Sequence, residues 1–395
     1  MDASVFDAIQ ERLRERGAVA ALESLVERLS LAQDFHRLFE ARIMLARREL
    51  GLPLLARDRL DSLAPEVREA LEDRLAAACR DVGVAMLDAG NLAGGFEYLQ
   101  MIGETAPVRE KIEALVDPSP EDVAAAVEIA VARGVHPERG IQLILEHYGL
   151  CQAVTACETL SVQGASESVR EGCVRRLVRA IHAELSLRIE QEIERREQAP
   201  PSGASLVERL VGRDWLFEDD NYHIDASHLN AIVRMARVLP ACREAELCIE
   251  LCEYGRRLSP RYRYPDPPPF EDVYEDGLRY FEVVLGRNVE SGLARFRAKA
   301  EASDPREVGA FPLEVYLHLL RRCGRIHEAV EFASRRACDL PGSTAAAVNE
   351  ICLESGAFDA MIRMARERGD PVSFAAALIS ASDAHGGAES PGSSR

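Results

Sequence analysis

The chain has 395 residues, with 48 Lys and Arg against 66 Asp and Glu and a formal net charge of -18. Its 47% hydrophobic and 29% charged residues suffice for folded cores and exclude wholesale disorder. The acidic balance argues against a general nucleic-acid binder, whose affinity rests on clustered Lys and Arg. Asp, Glu or Arg interrupts every apolar run before the ~20 residues a membrane helix needs. The acidic start, Met1 to Asp7, lacks the basic region and apolar core of a secretory signal. The expectation is a cytoplasmic protein with neither membrane nor nucleic-acid partners.

Almost the whole chain places apolar residues at i, i+3, i+4 and i+7, with Ala, Leu, Glu and Arg in most positions. The pattern predicts helices over 3–16, 18–30, 33–50, 65–89, 92–103, 106–116, 120–133, 137–148, 150–160 and 166–198. The last carries an apolar row at Cys173, Leu177, Ile181, Leu185, Ile189 and Ile193. At 1.5 Å per residue it extends roughly 50 Å, so its final turns are expected to project as a strut. Ala199, Pro200, Pro201, Ser202 and Gly203 read as the main linker. Helices then resume over 204–212, 226–238, 241–258, 270–285, 288–302, 312–323, 326–338, 343–355, 358–368 and 371–381. Gly or Pro punctuates them, as at Gly90, Pro118, Gly286, Gly324, Pro341 and Gly356. The end, 383–395, has no apolar period and reads as a disordered tail. Strand signals are nearly absent, so the fold class is all-α, built of antiparallel helical hairpins.

One pattern recurs in register: a Gly between two helices, a small residue five positions on and a Pro seventeen positions on. Gly324, Ala329 and Pro341 form it in CGRIHEAVEFASRRACDLP; Gly90, Gly95 and Pro107 form it in AGNLAGGFEYLQMIGETAP. Gly permits the turn, the small residue lets the helices approach closely, and Pro stops the second helix. Both stretches resemble the second half of a tetratricopeptide repeat, a helix-turn-helix unit of about 34 residues. Val82 and Gly83 fall where that family has its Leu-Gly pair. The downstream unit departs there, with Leu313, Leu317 and Ala333 in place of the signature Trp, Gly and Phe. The resemblance implies helical hairpins stacked as an α-solenoid in two halves. These are an N-terminal domain, 1–199, ending in the long helix, and a C-terminal tetratricopeptide-like domain, 204–382. It also implies a scaffold or adaptor that binds a protein or peptide partner.

Two stretches stand out as candidate sites. The first, Arg213 to Leu229, holds the sole Trp, Trp215, and a run of acids. His223, Asp225 and His228, with Asp219 or Asp220, could supply the ligands of a divalent metal. The competing reading makes Asp225 or Ser227 a helix cap and Trp215 and Phe217 a plug. The second stretch interleaves Tyr and Arg as Arg261, Tyr262, Arg263 and Tyr264, and six of the nine tyrosines lie between 222 and 280. Such residues anchor interfaces, and with Trp215 and Tyr222 they are the expected partner-binding residues. The competing reading is an extended connector whose arginines pair with Glu271, Asp272, Glu275 and Asp276.

The ten cysteines show no CxxC and read as reduced, buried thiols. Cys242, Cys248 and Cys252 could bind a soft metal only with a fourth ligand from elsewhere. His36, His182 and His327 are expected to be exposed. No phosphate loop, GxSxG elbow, HExxH or dinucleotide fingerprint occurs, so no catalytic residue is assigned. The leading expectation is a helical-repeat scaffold without a cofactor. The alternative is a metal-dependent enzyme or metal-regulated module centred on 219–228.

Overall fold

The computed structural model describes residues 3–55, 62–199, 203 and 205–386. Among these residues regular structure is entirely helical. The α-helices are α1 (Ala3–Leu31), α2 (Phe35–Glu49), α3 (Pro65–Asp88), α4 (Leu92–Met101), α5 (Ala106–Glu113), α6 (Pro120–Val127), α7 (Pro137–His147), α8 (Leu150–Val162), α9 (Glu167–Glu197) and α10 (Leu206–Leu210). They continue as α11 (Ala226–Met235), α12 (Arg243–Gly255), α13 (Val273–Val284), α14 (Val289–Ala302), α15 (Pro305–Val308), α16 (Phe311–Arg322), α17 (Ile326–Arg335), α18 (Gly342–Ser355), α19 (Phe358–Arg368) and α20 (Pro371–Gly386). Among the described residues no helix is long and apolar enough to cross a membrane. The break expected at residue 17 is a kink within α1, where Gly17 has φ 86° and ψ -176°. Expected helices 120–133, 226–238 and 326–338 end in short π or 3₁₀ turns, and a 3₁₀ turn over Asp214–Asp220 was not anticipated.

The chain forms two compact units, residues 1–156 and 157–395. In the first, α3 and α4 turn back on each other through Gly90, at φ 84°, and Asn91. The Asn91 side chain accepts the Gly94 N–H at 2.9 Å and caps α4. The helices meet at Gly83 and Gly95. A Cβ on Gly95 would lie 2.5 Å from Leu87 and 2.9 Å from the Gly83 carbonyl oxygen. The small residues thus perform the close approach inferred from their register. Tyr98 of α4 faces a core shared with Leu38, Cys79 and Met86, and Phe96 and Leu99 face a second with Val108 and Ile129.

In the second unit α9 is the spine. Its row Cys173, Leu177, Ile181, Leu185, Ile189 and Ile193 is fully buried to the last member, and α9 packs against α10, α11 and α12. Burial of each large aliphatic side chain contributes about 1.5–3 kcal/mol. The helix therefore does not project as a strut. It also belongs with the elements that follow it, so the division between units falls at 156/157 and not at Pro200 and Pro201, which lie outside the described residues. Buried Glu244 of α12 ties the spine by pairing with Arg175 at 3.1 Å and Arg179 at 2.5 Å.

Helix α20 runs through Gly386, so residues 383–386, expected as tail, are helical; 387–395 lie outside the described residues. All ten cysteines are free. Burial pushes the Cys248 and Cys252 thiols up, which removes their thiolate character. Cys151 and Cys338 are exposed, contrary to expectation. His182 is half-buried and pairs with Glu250 at 3.0 Å, so it too departs from the expected exposure.

Candidate interaction surface

The two unusual stretches of sequence meet in space. Asp219 and Asp220 take left-handed conformations, φ 55° and 59°, a region that Asp enters more readily than most residues with a Cβ. Beyond that turn Tyr222 stands 49% exposed. Its ring packs on Tyr262, 40 residues further on, with centroids 4.9 Å apart. Arg261 pairs with Asp220 at 2.8 Å and donates to the Tyr262 hydroxyl at 2.9 Å. Its guanidinium also lies 4.8 Å from the Tyr262 ring centroid. Tyr264 is 45% exposed, and its carbonyl accepts Asn230 Nδ2–H at 3.2 Å. Tyr222, Arg261 and half-buried Tyr262 thus brace one another, and exposed Tyr264 follows two residues on. Bracing lowers the entropy lost when a partner immobilises them.

Two of the expected partner residues are engaged by the chain itself. Arg263 turns inward and donates to the carbonyls of Leu258, at 2.8 Å, and Arg256. It closes the chain leaving α12. Trp215 is half-buried under Arg196 of α9, whose guanidinium lies 4.3 Å from the ring centroid.

The expected metal ligands do not converge. Asp225 caps α11, accepting from Ser227 N–H at 2.8 Å, the Ser227 hydroxyl at 2.5 Å and His228 N–H at 3.3 Å. The serine hydrogen bond prevails over burial and holds its carboxyl below the usual carboxylate range. Asp220 is engaged by Arg261, Asp219 is exposed, and His223 is buried against Tyr254. Among the described residues no three His, Cys, Asp or Glu side chains are placed to hold a metal ion together.

The Tyr/Arg loop is anchored at its far end by Lys299. Its ammonium donates to the Pro269 carbonyl at 2.7 Å, Glu271 at 2.5 Å and Asp276 at 2.7 Å. Three N–H bonds thus meet three acceptors. The chain has only one other lysine, Lys111, against 46 arginines. A compact ammonium suits three converging acceptors, whereas the planar guanidinium does not. Nothing in the local sequence distinguishes Lys299.

A groove of about 730 Å³ lies between α9, α11 and α16, with Arg170, Arg234, Arg237 and Phe311 in its wall. A neighbouring pocket of about 280 Å³ is lined by Phe270, Tyr280 and Val315. His318 reaches both. Its Nε2 accepts from Arg322 Nε at 2.6 Å, and Arg322 also donates to the carbonyls of Leu239 at 2.7 Å and Val238 at 2.9 Å. Only a neutral imidazole can accept there. Burial, then the Arg322 charge, pushes His318 from 6.5 down to about 4. Between these values the unfolded chain binds a proton that the folded one refuses, so the contribution is full above pH 6.5 and is lost as pH falls towards 4. The expected slope is up to about 1.4 kcal/mol per pH unit. His318→Gln should flatten it in urea unfolding titrations across that window, and an unchanged slope would assign the acid sensitivity elsewhere.

Compared with known proteins, the chain matches no family model, no curated protein and no solved structure.

Proposed function

We propose that the chain is a helical-hairpin adaptor that holds another protein or peptide through the Tyr222, Arg261, Tyr262 and Tyr264 surface. The observation that carries this reading is the pairing of two sequence-distant loops into one exposed, mutually braced cluster. Tyr and Arg supply most of the energy at interfaces. The neighbouring Asp219, Asp220 and Glu218 would repel a phosphate backbone, which favours a protein over nucleic acid. The Gly83–Gly95 approach and the buried small residue Ala329 of α17 support a tetratricopeptide-like stacking of hairpins into a solenoid in two halves. Free thiols throughout fit a cytoplasmic setting.

The test is a photo-crosslinking residue at position 264 of the full chain, compared with the same chain carrying Tyr222→Ala and Tyr262→Ala. One discrete crosslinked species is expected, with affinity falling about 30-fold or more in the double variant, on the order of 2 kcal/mol. Folding stability should change by less than about 1 kcal/mol, as for exposed positions. Equal capture by both chains would remove the basis of the reading.

A further inference from the structure

Arg188, Gln191, Glu192 and Arg195 of α9 face Asn221, Tyr222 and His223 across a pocket of about 300 Å³. His223 is 7% exposed. Its backbone N–H donates to the Tyr254 hydroxyl at 2.8 Å, and its Nδ1 stands 3.2 Å from the same oxygen. Tyr254 is fully buried. If Nδ1 carried the proton, the tyrosine oxygen would accept twice while its own buried hydrogen found no acceptor. If Nδ1 is bare, the Tyr254 hydroxyl donates to it and is satisfied. Counting donors therefore places the imidazole proton on Nε2. That nitrogen is buried and has no hydrogen-bond partner.

A buried, unmade hydrogen bond is destabilising. An acceptor arriving from outside the chain would satisfy it. The two charges that act on the ring, Glu192 and Arg188, both belong to the pocket wall. Burial is the larger influence and holds His223 below the usual histidine range, so the ring is a neutral donor at pH 7. Around it Gln191 has no hydrogen-bond partner among the described residues. Arg188 holds Glu184 at 2.6 Å and Arg195 holds Glu192, and each guanidinium keeps further N–H groups free. Asn221 gives one Nδ2–H to the Leu216 carbonyl at 3.1 Å and keeps its second for the pocket.

We propose that this pocket binds one oxyanion, a carboxylate or phosphate group, with His223 Nε2–H as the buried donor and Gln191, Arg188 and Arg195 closing over it. Tyr222 belongs to both the pocket and the exposed surface. A partner's acidic or phosphorylated side chain can therefore enter as its neighbouring residues pack on Tyr222 and Tyr262. That choice of source rests on the proposed function; the oxyanion site itself does not.

The experiment uses the full chain with ¹⁵N-labelled histidine, titrated with sodium phosphate and, separately, sodium acetate while the His223 ring nitrogens are followed by NMR. The free protein is expected to show the Nε2-protonated tautomer, and at least one anion should shift that nitrogen saturably. Saturation by acetate assigns a carboxylate; saturation by phosphate alone assigns a phosphoryl group. Gln191→Leu, at the pocket rim, should weaken the binding about tenfold, the equivalent of about 1.4 kcal/mol. His223→Phe should abolish protection of the chain against thermal unfolding by the same anion. If that variant does not fold, Gln191→Leu carries the comparison. An Nδ1-protonated ring, or no saturable shift with either anion, overturns the proposal. Addition of the partner captured at position 264 separates the sources: displacement of the anion places the group on the partner, and coexistence leaves it a free ion. Anion binding without any partner would leave the pocket standing and the adaptor reading without support.

Discussion

Replacing Asp276 by alanine is expected to lower the unfolding free energy by about 3–5 kcal/mol, the usual consequence of stranding buried charge partners. Asp276 is fully buried. It accepts from Arg295 Nε at 2.8 Å, Lys299 Nζ at 2.7 Å and its own helix start, Asp272 N–H, at 3.1 Å. Removing the carboxylate leaves the ammonium of Lys299 with only Glu271 and a carbonyl, and strips Arg295 of the Nε bond and of its second contact, Nη2 at 2.8 Å. The change in urea midpoint, at constant m, measures the effect. A shift worth less than about 1 kcal/mol would mean that water replaces the carboxylate and that the cluster adds little. Lys299→Arg gives a sharper comparison, because charge is kept and only the three-way convergence on Pro269, Glu271 and Asp276 is lost. Either variant should also weaken capture at position 264, since Pro269 ends the segment that presents Tyr262 and Tyr264.

The second large effect lies where α3 and α4 meet. Gly95→Ala should gain about 1 kcal/mol from helix propensity if the methyl group had room. It has none, for Leu87 at 2.5 Å is buried and the Gly83 carbonyl at 2.9 Å is backbone. Overpacking of that kind costs about 1–3 kcal/mol, so net destabilisation is expected, and Gly95→Val should exceed it. Gly342, at the start of α18, has nothing within 4 Å of a built Cβ and no positive φ. Gly342→Ala is therefore the control and should be neutral or mildly stabilising. Denaturation curves for the two alanine variants decide the matter: equal stability would show that α3 and α4 separate without penalty.

Most of the helical content was legible because its signals are local. The apolar row of α9 needs only the 3.6-residue period, and all six members are buried as that period requires. Gly90 and Gly324 mark turns because only a residue without Cβ takes positive φ freely, and both do so. The clustering at the candidate surface was half legible. Tyr222, Arg261, Tyr262 and Tyr264 stood out by composition, yet the same rule also chose Arg263 and Trp215, which face the chain's own carbonyls and Arg196. Composition tells which residues make good anchors and nothing about the direction in which each points.

The sequence by itself determined that this is an all-helical protein, where most helices start and stop, which face of α9 is apolar, and that Gly90 turns α3 into α4. Those properties follow from backbone sterics and from side chains a few residues apart. Tertiary structure alone decided that α9 belongs with the elements after it, that Asp225 caps a helix, that Asp220 meets Arg261, and that the His223 ring meets the Tyr254 hydroxyl. Each of these depends on how helices pack. A hydrogen bond between residues 31 or 41 positions apart leaves no periodic trace in the chain, because its geometry is set by the cores on either side rather than by the residues that make it.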